Sequence, residues 1–266
     1  RARGVVLADG TEVMAPVVLS GADPKRTFLH LVDKTELPEE FCAAVAGIKM
    51  DGPSAKVNLV LDAEPRLSGM PSDASPGRRS LFTLPPGLSQ ADHCYDMSKR
   101  GELAGPDELF VDCVVASNVD DSLAPAGRHV MTCFVQYVPY RLKEGTWDTR
   151  RDELGDAVIE RIGRFAPNVP GAVVARQVLT PLDLERVYGL TEGNIFHGDI
   201  CPEQLFHMRP VPGWARYATP VAGLYLCGAG THPGGGVTGA PGHNAARKVM
   251  ADLHKKRRRQ VKRARP

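Results

Sequence analysis

Leu224-Tyr225-Leu226-Cys227-Gly228-Ala229-Gly230-Thr231-His232-Pro233-Gly234-Gly235-Gly236-Val237-Thr238-Gly239-Ala240-Pro241-Gly242 is the stretch that decides how this chain is read. Leu224 to Cys227 form a short apolar run without helical spacing, and the glycines from Gly228 to Gly236 open backbone conformations that other residues reach only with strain. Beyond Val237 the pattern turns helical. Pro241 is tolerated only in a first helical turn, which places the helix start near residues 238–240. Strand, bare loop and helix in that order let a bulky, electron-rich ligand approach backbone N–H groups and the positive end of a helix dipole. A glycine-rich turn that merely closes an α/β sheet has the same outline.

The dinucleotide fingerprint G-x-G-x-x-G fails here, because Gly228-Ala229-Gly230-Thr231-His232 is followed by Pro233. The second strand and ribose-binding acid that a first βαβ unit needs are also missing, since one helix and a basic run follow. The run from Tyr225 to Gly236 resembles the C-terminal flavin-binding segment of the phytoene desaturase and carotenoid isomerase family of FAD-dependent oxidoreductases. Leu179 to Gly189, Gly193-Asn194-Ile195-Phe196-His197, Gln204-Leu205-Phe206 and Arg209-Pro210-Val211-Pro212 are most similar to its branch called pyridine nucleotide-disulfide oxidoreductase domain-containing protein 2. The likeness runs in family order from residue 1 to about Leu253.

The resemblance implies an α/β (α+β) fold: part of an FAD-binding domain of the glutathione-reductase-like type, with an inserted antiparallel-sheet substrate domain. It divides the chain into 1–50 and 206–254, belonging to the FAD domain, and 51–205, the substrate domain. It implies FAD as cofactor, with Gly228, Gly230, Thr231, His232, Pro233, Gly234, Gly235, Gly236, Val237 and Thr238 around it. The amides of Gly235 to Thr238 would face the ring edge that becomes negative on reduction. The implied enzyme removes hydride from, or isomerises, a small apolar substrate. The N-terminal FAD-binding half, with its G-x-G-x-x-G, lies outside this chain, so the chain alone is expected to be inactive. The alternative is a degenerate oxidoreductase fold serving as a non-catalytic scaffold.

Composition sets further bounds. A 42% hydrophobic content over 266 residues suffices for a packed core. No apolar run approaches the ~20 residues of a spanning helix, and no signal pattern opens the chain, which points to the cytoplasm. Six cysteines without a C-x-x-C pair, and histidines at 197, 207, 232 and 243 without a zinc spacing, give no metal site. Lys255 to Arg265 bring eight positive charges and no acid. The net charge of +2 therefore leaves −6 on residues 1–254. Without aromatic residues for stacking, residues 255–266 read as a solvated, disordered tail rather than a nucleic-acid site.

Along the chain, Asp9-Gly10 between the apolar runs Gly4–Leu7 and Glu12–Leu19 predicts a β-hairpin. Asp23-Pro24 predicts a capped helix start, and 38–46 a short helix stopped by Gly47. Strands are expected over 55–61, 109–115, 129–138 and 172–179. A helix is expected over 147–166 with Leu154, Val158, Ile162 and Phe165 on its buried face, and Thr180-Pro181 starts another. Residues 64–105 read as one long connection over the sheet or a substrate opening.

Overall fold

The computed structural model describes residues 1–71 and 73–263. Its elements run β1 (Gly4–Val6), β2 (Glu12–Met14), β3 (Val18–Ser20), α1 (Glu39–Ala46), β4 (Ser54–Leu61), α2 (Pro76–Ser80), β5 (Leu81–Leu84), α3 (Leu88–Lys99), β6 (Phe110–Val115) and β7 (His129–Gln136). There follow α4 (Trp147–Gly163), α5 (Val169–Ala172), β8 (Val173–Leu179), α6 (Pro181–Tyr188), β9 (Leu224–Leu226) and α7 (Ala240–Arg263). The mixture of helix and strand is that of an α/β chain. It divides into two compact units, Arg1–Met50 with Gly189–Pro266, and Asp51–Tyr188.

The Asp51–Tyr188 unit is built on a five-stranded antiparallel sheet in the order β5-β6-β7-β4-β8. Alternation puts Val57, Leu59 and Leu61 of β4, Val111, Cys113 and Val115 of β6, and Met131, Cys133 and Val135 of β7 into one core. Leu154, Val158 and Ile162 of α4 join that core with no exposed surface. A Cβ on Gly155 would lie 2.8 Å from Val178 Cγ2, so the glycine sets how closely α4 approaches β8.

Three expectations for this unit need correction. Residues 64–105 hold α2, the edge strand β5 and α3 rather than one irregular connection. The strand is four residues long, and α3 fully buries only Cys94, so neither carries a legible apolar stripe. Phe165, expected on the buried face of α4, follows its end and is 39% exposed. Arg161, outside the stripe of Leu154, Val158, Ile162 and Phe165 expected to be buried, is 6% exposed; its guanidinium donates to the carbonyls of Leu84 and Pro85 and lies 5.0 Å from the Phe165 ring centroid.

In the other unit the hairpin β1–β2 forms with Asp9 accepting the Thr11 N–H and Gly10 at φ 86°. The expected second strand, residues 12–19, breaks at Pro16, which has no N–H for a ladder. Its far half, β3, pairs in parallel with β9 instead. Phe28, Phe41, Val45, Val221, Leu224 and Leu226 form the core beside this pair, with Phe28 edge-on to Phe41 and Phe41 edge-on to Trp214.

The contacts divide the chain after Tyr188, not after Leu205. Gln204 bonds both ways with the Lys49 backbone, and the Asp199 N–H donates to the Lys49 carbonyl, tying 189–205 to the first fifty residues. Residues 255–263, expected as disordered tail, continue α7 as helix. Arg and Lys are good helix formers, and a helix already nucleated at Ala240 extends through them. Residues 264–266 of that expected tail lie outside the described residues.

Candidate functional site

Because β3 and β9 are parallel, their carboxyl ends open at the same edge, where ligands bind in open α/β sheets. After β3 the chain turns through Gly21-Ala22-Asp23; after β9 the Cys227 N–H donates to the Ser20 carbonyl at 2.9 Å and the glycine loop begins. Asp23, 1% exposed, accepts the Arg26 N–H at 2.8 Å as a helix cap. Its other oxygen accepts the Thr191 hydroxyl at 2.8 Å and the Thr191 N–H at 3.2 Å.

The structure sorts the ten sequence-derived loop residues into two sets. Gly228, Gly230 and Gly235 are glycine because protein packs against them. A Cβ on Gly228 would meet the Gly21 carbonyl oxygen at 2.5 Å, one on Gly230 the Pro24 Cδ at 2.5 Å, and one on Gly235 a Phe196 ring carbon at 3.0 Å. Thr231, 1% exposed, closes a turn by donating its N–H and hydroxyl to the Gly228 carbonyl. The His232 carbonyl accepts the Tyr217 hydroxyl at 2.9 Å, and the His232–Pro233 bond is cis.

Gly234, Gly236, Val237 and Thr238 form the open set. Gly234 and Gly236 have φ of 120° and 111°, with no atom nearer than 4.0 Å where a side chain would start. Val237 sits at φ 57° and is fully exposed, a costly conformation for a β-branched residue. Among the described residues, no protein acceptor takes the N–H of Gly234, Gly235, Gly236, Val237 or Thr238. The Thr238 hydroxyl and the Gly239 carbonyl instead accept the Ala240 and His243 N–H groups, and Pro241 has none. Among the described residues the Gly242 N–H is likewise without a protein acceptor, so the available donors run from the loop into the first turn of α7.

Arg209, which no spacing in the sequence singles out, organises the far side of the loop. It is 3% exposed, and its guanidinium donates to the carbonyls of Gln204 (2.6 Å), Phe196 (2.7 Å), Ala229 (2.8 Å), Gly198 (2.6 Å) and Asp199 (3.0 Å). The Asn194 side-chain oxygen accepts the Phe196 and Gly198 N–H groups and fixes the turn that presents His197 at φ 58°. Burial pushes the His197 imidazole below its ordinary pKa; Asp23 opposes the shift and Arg209 adds to it. The ring is therefore neutral at pH 7, and its Nδ1, like that of His232, is buried without a partner. His207 is exposed, and Cys227 donates its thiol proton to the Ser20 carbonyl at 3.4 Å. Burial raises the Cys227 pKa, which makes it a poor nucleophile.

A flavin accumulates negative charge along one ring edge when reduced, and it needs hydrogen-bond donors there that require no titration. The unbonded loop amides, the unpartnered ring nitrogens of His197 and His232 and the buried Arg209 cation fit that requirement. Among the described residues, no group of three His, Cys, Asp or Glu side chains is placed to hold a metal ion, and no helix is long and apolar enough to cross a membrane.

No protein-family model matches the chain. It is 40% identical to the rat protein named pyridine nucleotide-disulfide oxidoreductase domain-containing protein 2, over 95% of this chain and 44% of the relative. It is 26% identical to the lycopene-forming phytoene desaturase of Pseudescherichia vulneris, over 95% of this chain and 48% of the relative. The chain thus spans less than half the length of these curated relatives. Among solved structures, an oxidoreductase from Methanosarcina mazei has the same fold over 96% of this chain and 46% of its own, with a TM-score of 0.50 and 16% identity.

Proposed function

We propose, for a chain that belongs to the oxidoreductase family of pyridine nucleotide-disulfide oxidoreductase domain-containing protein 2 and the phytoene desaturases, that it forms the flavin-ring side of an FAD-dependent oxidoreductase. In this reading the unit containing β3, β9 and α7 is part of an FAD-binding domain of the glutathione-reductase-like type. The antiparallel unit, Asp51–Tyr188, is the substrate domain for an apolar molecule. A segment of the longer protein outside this chain holds the ADP part of the cofactor. The observation that carries the reading is the run of unbonded amides from Gly234 to Thr238 at the carboxyl ends of a parallel strand pair.

When bound, FAD supplies the hydride acceptor. The chain's own residues bind and orient it. The Gly234 to Thr238 amides donate to the ring edge, and the packing of Gly228 and Gly230 on Gly21 and Pro24 keeps those amides from relaxing. His197 and His232 offer buried ring nitrogens without protein partners at the loop, and burial favours the neutral form of His197.

The test is to purify the full-length protein that contains this chain, denature it and assay the supernatant by absorbance and chromatography. Release of FAD at close to one per polypeptide is expected. A colourless protein that takes up no added FAD overturns the reading. The exposed cationic continuation of α7, Lys255 to Arg259, favours a second reading, a non-catalytic scaffold for an acidic partner. A colourless protein that captures acidic partners through α7 supports it.

A further inference from the structure

Arg209 does more than staple a loop. All five of its hydrogen bonds end on backbone carbonyls, and no carboxylate oxygen stands within ion-pair distance of it among the described residues. Burial works against its charge, and the Asp199 carboxylate, unlike the Asp199 carbonyl, acts on it only through space. A guanidinium nevertheless stays protonated at any physiological pH. Here, then, is a full positive charge in a nearly sealed position, bonded to carbonyl dipoles and opposed by a carboxylate only from a distance. Carbonyls can be satisfied by a neutral amide or by water at lower desolvation cost, so hydrogen bonding by itself does not require a cation.

The position of the charge supplies the reason for it. Nη1 lies 2.8 Å from the Ala229 carbonyl and 4.0 Å from where a Gly234 side chain would begin. That places the cation beside Gly234, the first of the unbonded amides. Those N–H groups have no acceptor within the described residues, and Arg209 adds charge of the same sign next to them. A field of this kind favours whichever form of a bound ring carries more negative charge.

We propose that Arg209 is a positioning residue that also raises the reduction potential of the flavin, by stabilising the negative charge the ring gains when reduced. This inference rests on the flavin reading above. It assigns to Arg209 an electrostatic role separable from its hydrogen-bonding role, because lysine keeps the charge with fewer donors and glutamine keeps an amide donor without the charge.

The experiment is a spectroscopic reduction titration of the full-length flavoprotein and its R209K, R209Q and D199N variants against a reference dye, with circular dichroism to check folding. R209K should hold the reduced-to-oxidised equilibrium within about threefold of the parent. R209Q should shift it at least tenfold toward the oxidised form, about 30 mV for a two-electron couple. D199N removes the nearby negative charge and should shift it the opposite way; it decides the matter if R209Q does not fold. Equal potentials in R209K and R209Q, or a downward or absent shift in D199N, overturn this inference and leave flavin binding intact. A parent protein without flavin overturns both.

Discussion

Replacing Gly228 by alanine tests whether the loop glycines serve the ligand or the fold. The new Cβ would lie 2.5 Å from the Gly21 carbonyl oxygen, 3.1 Å from its carbon and 3.2 Å from His197 Nδ1. Ordinary contact begins near 3.4 Å, so Gly21 would have to retreat by roughly 0.9 Å. Gly21 directly follows Ser20, whose carbonyl accepts the Cys227 N–H at 2.9 Å, so the displacement feeds into the β3–β9 pairing. Overpacking costs ~1–3 kcal/mol and a weakened backbone bond ~1 kcal/mol, giving about 2–4 kcal/mol in all. For a chain of this length that corresponds to a melting temperature lower by roughly 5–15 °C.

Two controls locate the cause. G236A meets nothing nearer than Thr238 Cγ2 at 4.0 Å and suffers only its φ of 111°, about 1–2 kcal/mol. G242A, in the first turn of α7 with open space around it, should gain about 0.5 kcal/mol from helix propensity. Guanidinium unfolding in a W147F background reports the unit that holds Trp214, since Trp147 lies in the other. A G228A protein within ~1 kcal/mol of the parent would refute the packing argument.

Three further outcomes are expected. The His197 pKa is lowered in the fold, so the unfolded chain binds the proton more readily; stability is complete above the ordinary pKa of ~6.5 and declines as pH falls below it. With Asp23 and Arg209 left in place, H197Q should flatten that acid limb, and an unchanged limb counts against a buried neutral imidazole. Asp183, 7% exposed, accepts the Thr180 N–H and hydroxyl and pairs with Arg151 at 2.7 Å, so D183A should cost the antiparallel unit about 3 kcal/mol in a urea melt. In α7, Lys255 and Arg259 are like charges one turn apart, so helical ellipticity lost on cutting the chain after Leu253 should grow with added salt; loss independent of salt contradicts a helical continuation.

Local chemistry determined a good deal of this protein without reference to the fold. Asp9-Gly10 fixes the hairpin turn, Gly47 the end of α1, and Thr180-Pro181-Leu182-Asp183 the start of α6, because each is an interaction within a few residues. The apolar alternation of β4 and the Leu154, Val158, Ile162 stripe of α4 were equally readable, since half-buried elements repeat their environment at their own period. The glycine loop announced a place where backbone is approached closely. It did not say by what.

That answer, and the features that depend on it, came only from tertiary structure. Pro16 divides what reads as one strand between two sheets, and the partner of β3 lies some two hundred residues away. Gly228 and Gly230 proved to accommodate Gly21 and Pro24, while the open donors lie further on, from Gly234. Arg209 and Arg161 look like surface cations in sequence because burial of a charge is decided by distant carbonyls, which no local pattern encodes. Sequence fixes what a residue can bond to within a turn or a strand; which long-range group arrives to accept that bond is settled when the chain closes on itself.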